Sequence, residues 1–180
     1  MTTLYDIPLK TIEDQPTTLG DYRGQVLLVV NVASKCGLTK QYAALEALYR
    51  AKHEAGLEVL GFPANNFLEQ EPGSNADIAS FCSTEFDVTF PMFSKISVAG
   101  NSVHPLYQAL INAQPVAEGE GPLREKLAGM DIKVNPAPGV LWNFEKFLIG
   151  RDGRVVARFS PDTAPDDAGL LAAVDAALAA

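Results

Sequence analysis

The chain has 180 residues, with 22 acidic and 14 basic side chains, a formal net charge of −8 and a pI of about 4.7. Because 47% of the residues are hydrophobic and 20% are charged, the composition is typical of a globular protein and not of a disordered one. A negative field of this size repels phosphate backbones and anionic membrane surfaces, so we expect neither nucleic acid binding nor stable membrane anchoring.

The amino-terminal stretch has neither a basic leader nor an apolar run, so the sequence shows no secretory signal. We therefore expect a cytoplasmic protein, in which a disulfide would be transient and not structural. The length favours a single domain over residues 1–180. The two cysteines, Cys36 and Cys82, permit one internal disulfide. With two histidines at no ligand-like spacing, they predict no metal site.

The first half of the chain predicts a short hairpin followed by strand–helix units. Residues 4–12 and 17–19 would pair around the polar turn "EDQP". The apolar run Val26–Val32 is short enough for a strand buried on both faces. The helical spacing of apolar residues after it predicts a helix that begins near Leu38 and ends at Gly56.

A second buried strand is predicted at Leu57–Pro63. Ser74 then precedes Asp77 by three residues, which is a capping-box signature for a helix that continues through Cys82. Further along, residues 90–98 are predicted to be extended and a short helix is predicted directly after them.

The last third of the chain predicts a long loop, a hairpin and a closing helix. Residues 114–139 are rich in Gly, Pro and charge, and predict a loop with one helical turn over 123–127. Asp152-Gly153 between two apolar runs is a strong hairpin signal. Pro165, the acids after it and a leucine stripe predict the final helix.

This order of elements predicts an α/β, thioredoxin-like fold. Short loops and right-handed crossovers make the first two long strands parallel, with helices on both faces of the sheet. The later hairpin adds antiparallel strands. We therefore expect a mixed central sheet flanked by helices, with an added amino-terminal β-hairpin.

Cys36 lies between the first long strand and the helix that follows it. The carboxyl ends of parallel strands are where open α/β sheets place their ligand sites, and a helix amino terminus favours a thiolate. Gly37 removes bulk beside the sulfur and Lys35 adds positive charge. A small hydrophobic residue of the core is the alternative interpretation, and the local pattern leaves both open.

Two further segments place polar and aromatic residues beside predicted strands. "GFPANNFLEQEPGSN" has two asparagines and Gln70, and by itself reads as a polar turn. In "LWNFEKFLIGRDGRVVARFSP", Trp142 and Asn143 precede the hairpin, where a tryptophan alone would indicate a core residue. Together with "NVASKCGLTKQY", in this order and spacing, the segments resemble the signature blocks of the glutathione peroxidase family. The resemblance is greatest to its bacterial branch with cysteine in place of selenocysteine.

The resemblance implies a thiol peroxidase that acts on hydrogen peroxide and organic hydroperoxides. Cys36 would be the peroxidatic nucleophile, with Gln70, Trp142 and Asn143 as hydrogen-bond donors around it. Amide and indole N–H groups stabilise a thiolate and a developing oxyanion, but none is a realistic base at neutral pH. Cys82 matches the resolving cysteine of two-cysteine members, against the alternative of a helix residue that faces the core. No metal, haem or flavin cofactor is implied.

The implied reductant is thioredoxin and/or glutathione, and a Cys36–Cys82 disulfide would favour thioredoxin. Such a disulfide requires the helix of Cys82 to unwind or swing, because its Cα atoms must come within about 7 Å. The sequence departs from the family at Ala64, where many members have a third cysteine, and at Asn66, where they have glutamine.

Three other functions compete with a peroxidase. A peroxide-sensing switch would use the same cysteine with little turnover. A cysteine hydrolase usually needs a histidine base, and His53 and His104 lie outside the three segments and are interpreted as structural. A general disulfide oxidoreductase is disfavoured because the sequence has no Cys-x-x-Cys motif.

Overall fold

The computed structural model describes residues 3–180 and shows the predicted α/β architecture. Within these residues the strands are β1 (Leu9–Lys10), β2 (Pro16–Thr17), β3 (Val26–Val32), β4 (Leu57–Pro63), β5 (Lys146–Ile149) and β6 (Val155–Phe159). The α-helices are α1 (Gln41–Lys52), α2 (Asn75–Phe86), α3 (Pro105–Ala113), α4 (Gly121–Gly129) and α5 (Ala168–Ala179). No helix in this part of the chain is both long and apolar enough to cross a membrane.

The central sheet has four strands in the order β4-β3-β5-β6. β3 and β4 are parallel, whereas β5 pairs antiparallel with both β3 and β6. The prediction of a mixed sheet is therefore confirmed. Every residue of β3 and of β4 is buried, as expected for near-continuous apolar strands with both faces covered.

Alternate residues of β3 face two different cores. Leu27 and Val29 lie in the core covered by α3 and α4, whereas Val26, Leu28 and Val30 lie in the core covered by α1, α2 and α5. The period of two along a strand thus places a helical layer on each side of the sheet. Cys36 contacts both cores, because it lies where the strand leaves the sheet.

Several local predictions match the structure in the type of element, whereas the length of the element often differs. The amino-terminal hairpin forms, with two residues in each strand. The capping box at Ser74 and Asp77 is present, and α2 runs past Cys82 as predicted. Residues 90–98 form isolated bridges to neighbouring segments and no full strand. The predicted single helical turn at 123–127 is instead the nine-residue α4.

The helix after Cys36 begins at Gln41 and not near Leu38. The Thr39 hydroxyl accounts for this delay, because it accepts the Cys36 N–H at 3.0 Å and donates to the Ala33 carbonyl at 2.8 Å. A side chain that bonds local backbone groups in this way competes with the helix and stabilises a turn. Cys36 is therefore held in a turn that precedes α1.

Candidate active site

The Cys36 turn joins the end of β3 to the start of α1 and leaves the thiol half-buried. The Leu38 N–H donates a hydrogen bond to Cys36 Sγ at 3.3 Å. Lys35, which is exposed, donates its backbone N–H to the Gln70 carbonyl at 2.9 Å. The turn thus presents a backbone donor to the sulfur, and a main-chain bond connects it to the loop after β4.

The loop after β4 carries Gln70 beside the Cys36 turn. Leu68 and Glu69, which directly precede Gln70, both adopt the left-handed backbone conformation with a φ of 51°. This conformation turns the chain sharply. The Gln70 Oε1 atom accepts a hydrogen bond from Asn143 Nδ2 at 2.9 Å. This bond joins side chains 73 residues apart and orients the Gln70 amide, so that its Nε2 donors face away from Asn143.

The segment before β5 carries Trp142 and Asn143, both buried. The Trp142 ring lies 5.2 Å from the ring of Phe67, and Cys36 packs against the apolar cluster that contains both aromatic residues. In the described part of the chain, no hydrogen bond joins Cys36 Sγ to the side chain of Gln70, Trp142 or Asn143. The structure therefore brings the four predicted residues to one edge of the sheet without a side-chain bond from the other three to the sulfur. The Lys35 main-chain bond joins the Cys36 turn to the Gln70 loop. Gln70 bonds Asn143, and Trp142 packs in the cluster that Cys36 contacts.

Asn31 is a residue of this site that the sequence analysis missed. It lies on β3 with no exposed surface, and its Nδ2 donates to the Trp142 carbonyl at 3.1 Å. Its own carbonyl accepts the N–H of Phe144, whose φ is +71°. A buried asparagine inside the apolar run "VLLVVNV" is the signal that could have identified it, since a buried polar group needs a partner.

Glu71 is a second missed residue, next to Gln70 and only 1% exposed. One carboxylate oxygen accepts the Ser34 N–H at 3.1 Å, and the Glu71 N–H donates to Asn65 at 2.9 Å. Burial raises the pKa of Glu71, while the Ser34 bond and the charge of Lys95 oppose that shift. Glu71 therefore fixes the Cys36 turn from the side of the Gln70 loop.

A buried ion pair supports the backbone that leads into Trp142. Glu145 accepts the Leu141 N–H at 3.0 Å and pairs with Arg158 at 2.6 Å. Arg158 in turn donates to the Gly139 carbonyl at 3.1 Å. Both charged side chains are at most 1% exposed, so the charge of each compensates the cost of burying the other.

Cys82 lies on the inner face of α2 and is 2% exposed. Burial raises its pKa to about 11, the negative charge of Glu71 adds to this rise, and the nearby Tyr42 hydroxyl opposes it. Both cysteines are reduced, so the implied disulfide does not form in this arrangement of the chain. In this position Cys82 is a neutral thiol and a poor nucleophile.

The two histidines lie away from Cys36. His104 caps α3, where its Nδ1 accepts the Leu106 N–H at 3.1 Å, and burial lowers its pKa. His53, at the end of α1, lies 3.1 Å from the carboxylate of Glu58. Each histidine thus has a local structural partner, and neither reaches the four predicted site residues.

Comparison with known proteins places this site in a family. Residues 4–111 match the family model described as Glutathione peroxidase. The chain is 51% identical over 175 residues to the Thioredoxin/glutathione peroxidase BtuE of Escherichia coli (strain K12), covering 95% of this chain and 94% of that protein. The chain belongs to the glutathione peroxidase family. It is therefore an enzyme, a thiol peroxidase that reduces hydroperoxides, and the alternative of a sensor with little turnover is not favoured.

Solved structures agree with this assignment. The crystal structure of Trgpx in apo form superposes on this chain with a TM-score of 0.72 at 36% identity, covering 99% of this chain and 97% of that one. A thioredoxin-family thiol:disulfide interchange protein from Chlorobium tepidum TLS superposes with a TM-score of 0.57 at 13% identity, over 96% of each chain. The second likeness concerns the fold alone and confirms the thioredoxin-like class.

Proposed function

We propose that Cys36 is the peroxidatic nucleophile of this thiol peroxidase. The observation that carries the proposal is the Leu38 N–H bond to Cys36 Sγ at 3.3 Å, in a turn at the sheet edge where the Gln70–Asn143 pair lies. A backbone donor of this kind stabilises a thiolate, which is the reactive form. The sulfur attacks the terminal peroxide oxygen and the O–O bond breaks. Sulfur keeps one oxygen as sulfenic acid, and the other leaves as hydroxide or alkoxide and takes a proton from water.

Gln70, Trp142 and Asn143 would stabilise the charge that passes from sulfur to the leaving oxygen. The Asn143 bond to Gln70 Oε1 supports this role, because it leaves the Gln70 Nε2 donors available. Trp142 contributes an indole N–H beside the apolar cluster that Cys36 contacts. Preorganised donors in a partly dry site act more strongly than donors in water, and they need no base.

We further propose that Cys82 resolves the sulfenic acid. Its thiol would attack Cys36 sulfur, form the disulfide and release the sulfenic oxygen as water. Because Cys82 is 2% exposed, α2 must open first. Opening exposes Ile78 and Cys82, and burial of the isoleucine alone contributes about 1.5–3 kcal/mol. It also separates Phe81 and Phe86 from the core against which they pack.

The reductant that fits this cycle best is a thioredoxin-type dithiol, which reduces a disulfide by exchange. The Escherichia coli relative is named for both thioredoxin and glutathione, which supports both as donors. Glutathione would reduce the sulfenic acid directly, although the net charge of −8 does not favour an anionic donor. A cycle that depends on these donors fits a reducing compartment such as the cytoplasm.

A trapping experiment tests the first step directly. The Cys82→Ser variant, treated with one equivalent of hydrogen peroxide and a sulfenic-acid-specific reagent, is expected to carry one adduct, located on Cys36 by peptide mass spectrometry. The wild-type enzyme should instead form the Cys36–Cys82 disulfide, seen as the loss of two hydrogens in the mass, and carry little adduct. An adduct elsewhere, or none at all while peroxide is consumed, would contradict the assignment of Cys36.

The bond from Asn31 to Trp142 yields a second prediction. In Asn31→Leu the Trp142 carbonyl loses its buried donor, so the free energy of unfolding should fall by about 1–3 kcal/mol. The displaced Trp142 and Asn143 should also slow Cys36 oxidation by about tenfold, because a small misplacement is costly to a preorganised site. Urea unfolding and stopped-flow kinetics with hydrogen peroxide measure the two effects. A stability loss with an unchanged oxidation rate would limit Asn31 to a packing role.

A further inference from the structure

Lys146 is a charged residue in the middle of the sheet, with no exposed surface. It is the first residue of β5, between Val30 on β3 and Phe159 on β6. An unpaired ammonium is among the most costly groups to bury, so its surroundings must satisfy all three of its N–H donors. The sequence gives no hint of this burial, since a lysine near a hairpin is normally exposed.

Three oxygen atoms accept hydrogen bonds from Lys146 Nζ. They are Gln41 Oε1 at 2.7 Å, the Pro161 carbonyl at 2.8 Å and the Thr163 carbonyl at 2.6 Å. The number of acceptors equals the number of ammonium donors, so the pocket is complementary to the charged form.

The acceptors connect two parts of the molecule that carry the site. Gln41 is the first residue of α1, and its backbone N–H donates to the Leu38 carbonyl within the Cys36 turn at 2.9 Å. Its side-chain amide is held at both ends, because Nε2 also donates to the Pro161 carbonyl at 2.8 Å. Lys146 itself lies three residues after Asn143. One side chain thus links the helix that follows Cys36 to the strand that follows Asn143.

We propose that Lys146 is a positioning residue, which holds the start of α1 against β5 and thereby sets the Cys36 turn opposite Asn143. The inference rests on the proposed role of Cys36 as the nucleophile. Lys146 makes no contact with peroxide in this role. It acts through Gln41, whose place fixes the turn that carries the Leu38 N–H and Cys36 Sγ.

A contribution to stability alone does not account for a lysine at this position. Burial lowers the pKa of Lys146 to about 7, although the carboxylates of Asp162 and Glu145 oppose the shift. Because the folded protein binds this proton less tightly than the unfolded chain, stability should rise as the pH increases from about 7 toward the ordinary lysine pKa. The charge is thus a cost to folding at neutral pH, which its three hydrogen bonds offset only in part.

The test compares Lys146→Met, Gln41→Leu and the double variant in the full chain. Stopped-flow kinetics would measure two half-reactions, the oxidation of Cys36 by hydrogen peroxide and the reduction of the preformed disulfide by thioredoxin. We expect each variant to oxidise at least about tenfold more slowly, with the double variant no slower than either single one, because both act through one contact. Reduction of the disulfide should be unchanged.

Val174→Ala is the matched control, since it removes buried volume from the core that α5 shares with α1 but takes away none of the hydrogen bonds of Lys146 or Gln41. It should lower the melting temperature and leave Cys36 oxidation unchanged. Oxidation at the wild-type rate in both single variants would overturn the proposal, as would losses that merely follow the melting temperature and are reproduced by Val174→Ala. If Lys146→Met does not fold, Gln41→Leu carries the test alone. A failure of the proposed function itself is distinguishable, because sulfenic acid would then be trapped away from Cys36.

Discussion

Cys36→Ser is expected to abolish peroxide turnover with thioredoxin and with glutathione alike. A serine hydroxyl keeps the shape of the turn and accepts the Leu38 N–H, but it is not ionised at neutral pH and does not attack the O–O bond. The second-order rate constant for peroxide should therefore fall by about a thousandfold or more. Peroxide-dependent NADPH oxidation, coupled in parallel to each donor with its reductase, provides the measurement.

Cys82→Ser is the matched control for the chemical step, because it replaces the other cysteine with the same residue and leaves the Cys36 turn intact. Its first oxidation by one equivalent of peroxide should proceed at the wild-type rate. Residual turnover in Cys36→Ser above a few per cent of wild type would mean that another group reacts with peroxide. The assignment of the nucleophile would then be wrong.

The elements of the fold follow from local patterns in the sequence. The apolar runs at Val26–Val32 and Leu57–Pro63 predict strands buried on both faces, and the structure buries every residue of both. The capping box at Ser74 likewise requires only four consecutive residues to be recognised. Such signals are short-range, so they are readable without knowledge of the tertiary structure. The thioredoxin-like fold class could therefore be predicted from the order of these elements, and the structure and its solved neighbours confirm it.

The contacts within the site could not be predicted in the same way. Gln70 and Asn143 are 73 residues apart, and their hydrogen bond depends on the sharp turn at Leu68 and Glu69. No local pattern requires non-glycine residues to adopt positive φ there. The resemblance to a family supplied these residues, and it named no supporting residue such as Asn31 because that role appears only when β3 and the Trp142 segment are placed together.

Buried charge is the feature that sequence reasoning represents least well. Glu145, Lys146 and Arg158 lie in a hairpin whose charges suggest a solvated surface, yet each is at most 1% exposed. Their partners are mostly backbone carbonyls and amides of the neighbouring loops, and the periodicity of apolar residues carries no information about such contacts. Glu145 and Arg158 bond the backbone of Leu141 and Gly139, which leads into Trp142. Lys146 bonds Gln41 at the start of α1. The charged interior therefore supports segments that carry the site.

Cys82→Ser is expected to separate the two reductants. Without a partner thiol, the sulfenic acid on Cys36 has no intramolecular route to a disulfide, and thioredoxin must attack a half-buried sulfur directly. Thioredoxin-driven turnover should fall by about a hundredfold, whereas glutathione, a small thiol, should sustain turnover within about twofold of wild type. The coupled NADPH assay with each donor measures both values, and inactivation by excess peroxide should accelerate as sulfinic acid accumulates.

Ser83→Ala provides the matched control, because Ser83 is the exposed neighbour of Cys82 on α2 and its replacement preserves the helix. It should behave as wild type with both donors. Equal thioredoxin-driven turnover in Cys82→Ser and wild type would make Cys82 a packing residue of the inner face of α2. In that outcome Cys82, with its pKa raised to about 11 by burial, would be an unreactive core thiol, and the catalytic cycle would not require α2 to open. Loss confined to the thioredoxin arm would show instead that the thioredoxin-driven cycle passes through Cys82, so that α2 must open to expose its buried thiol.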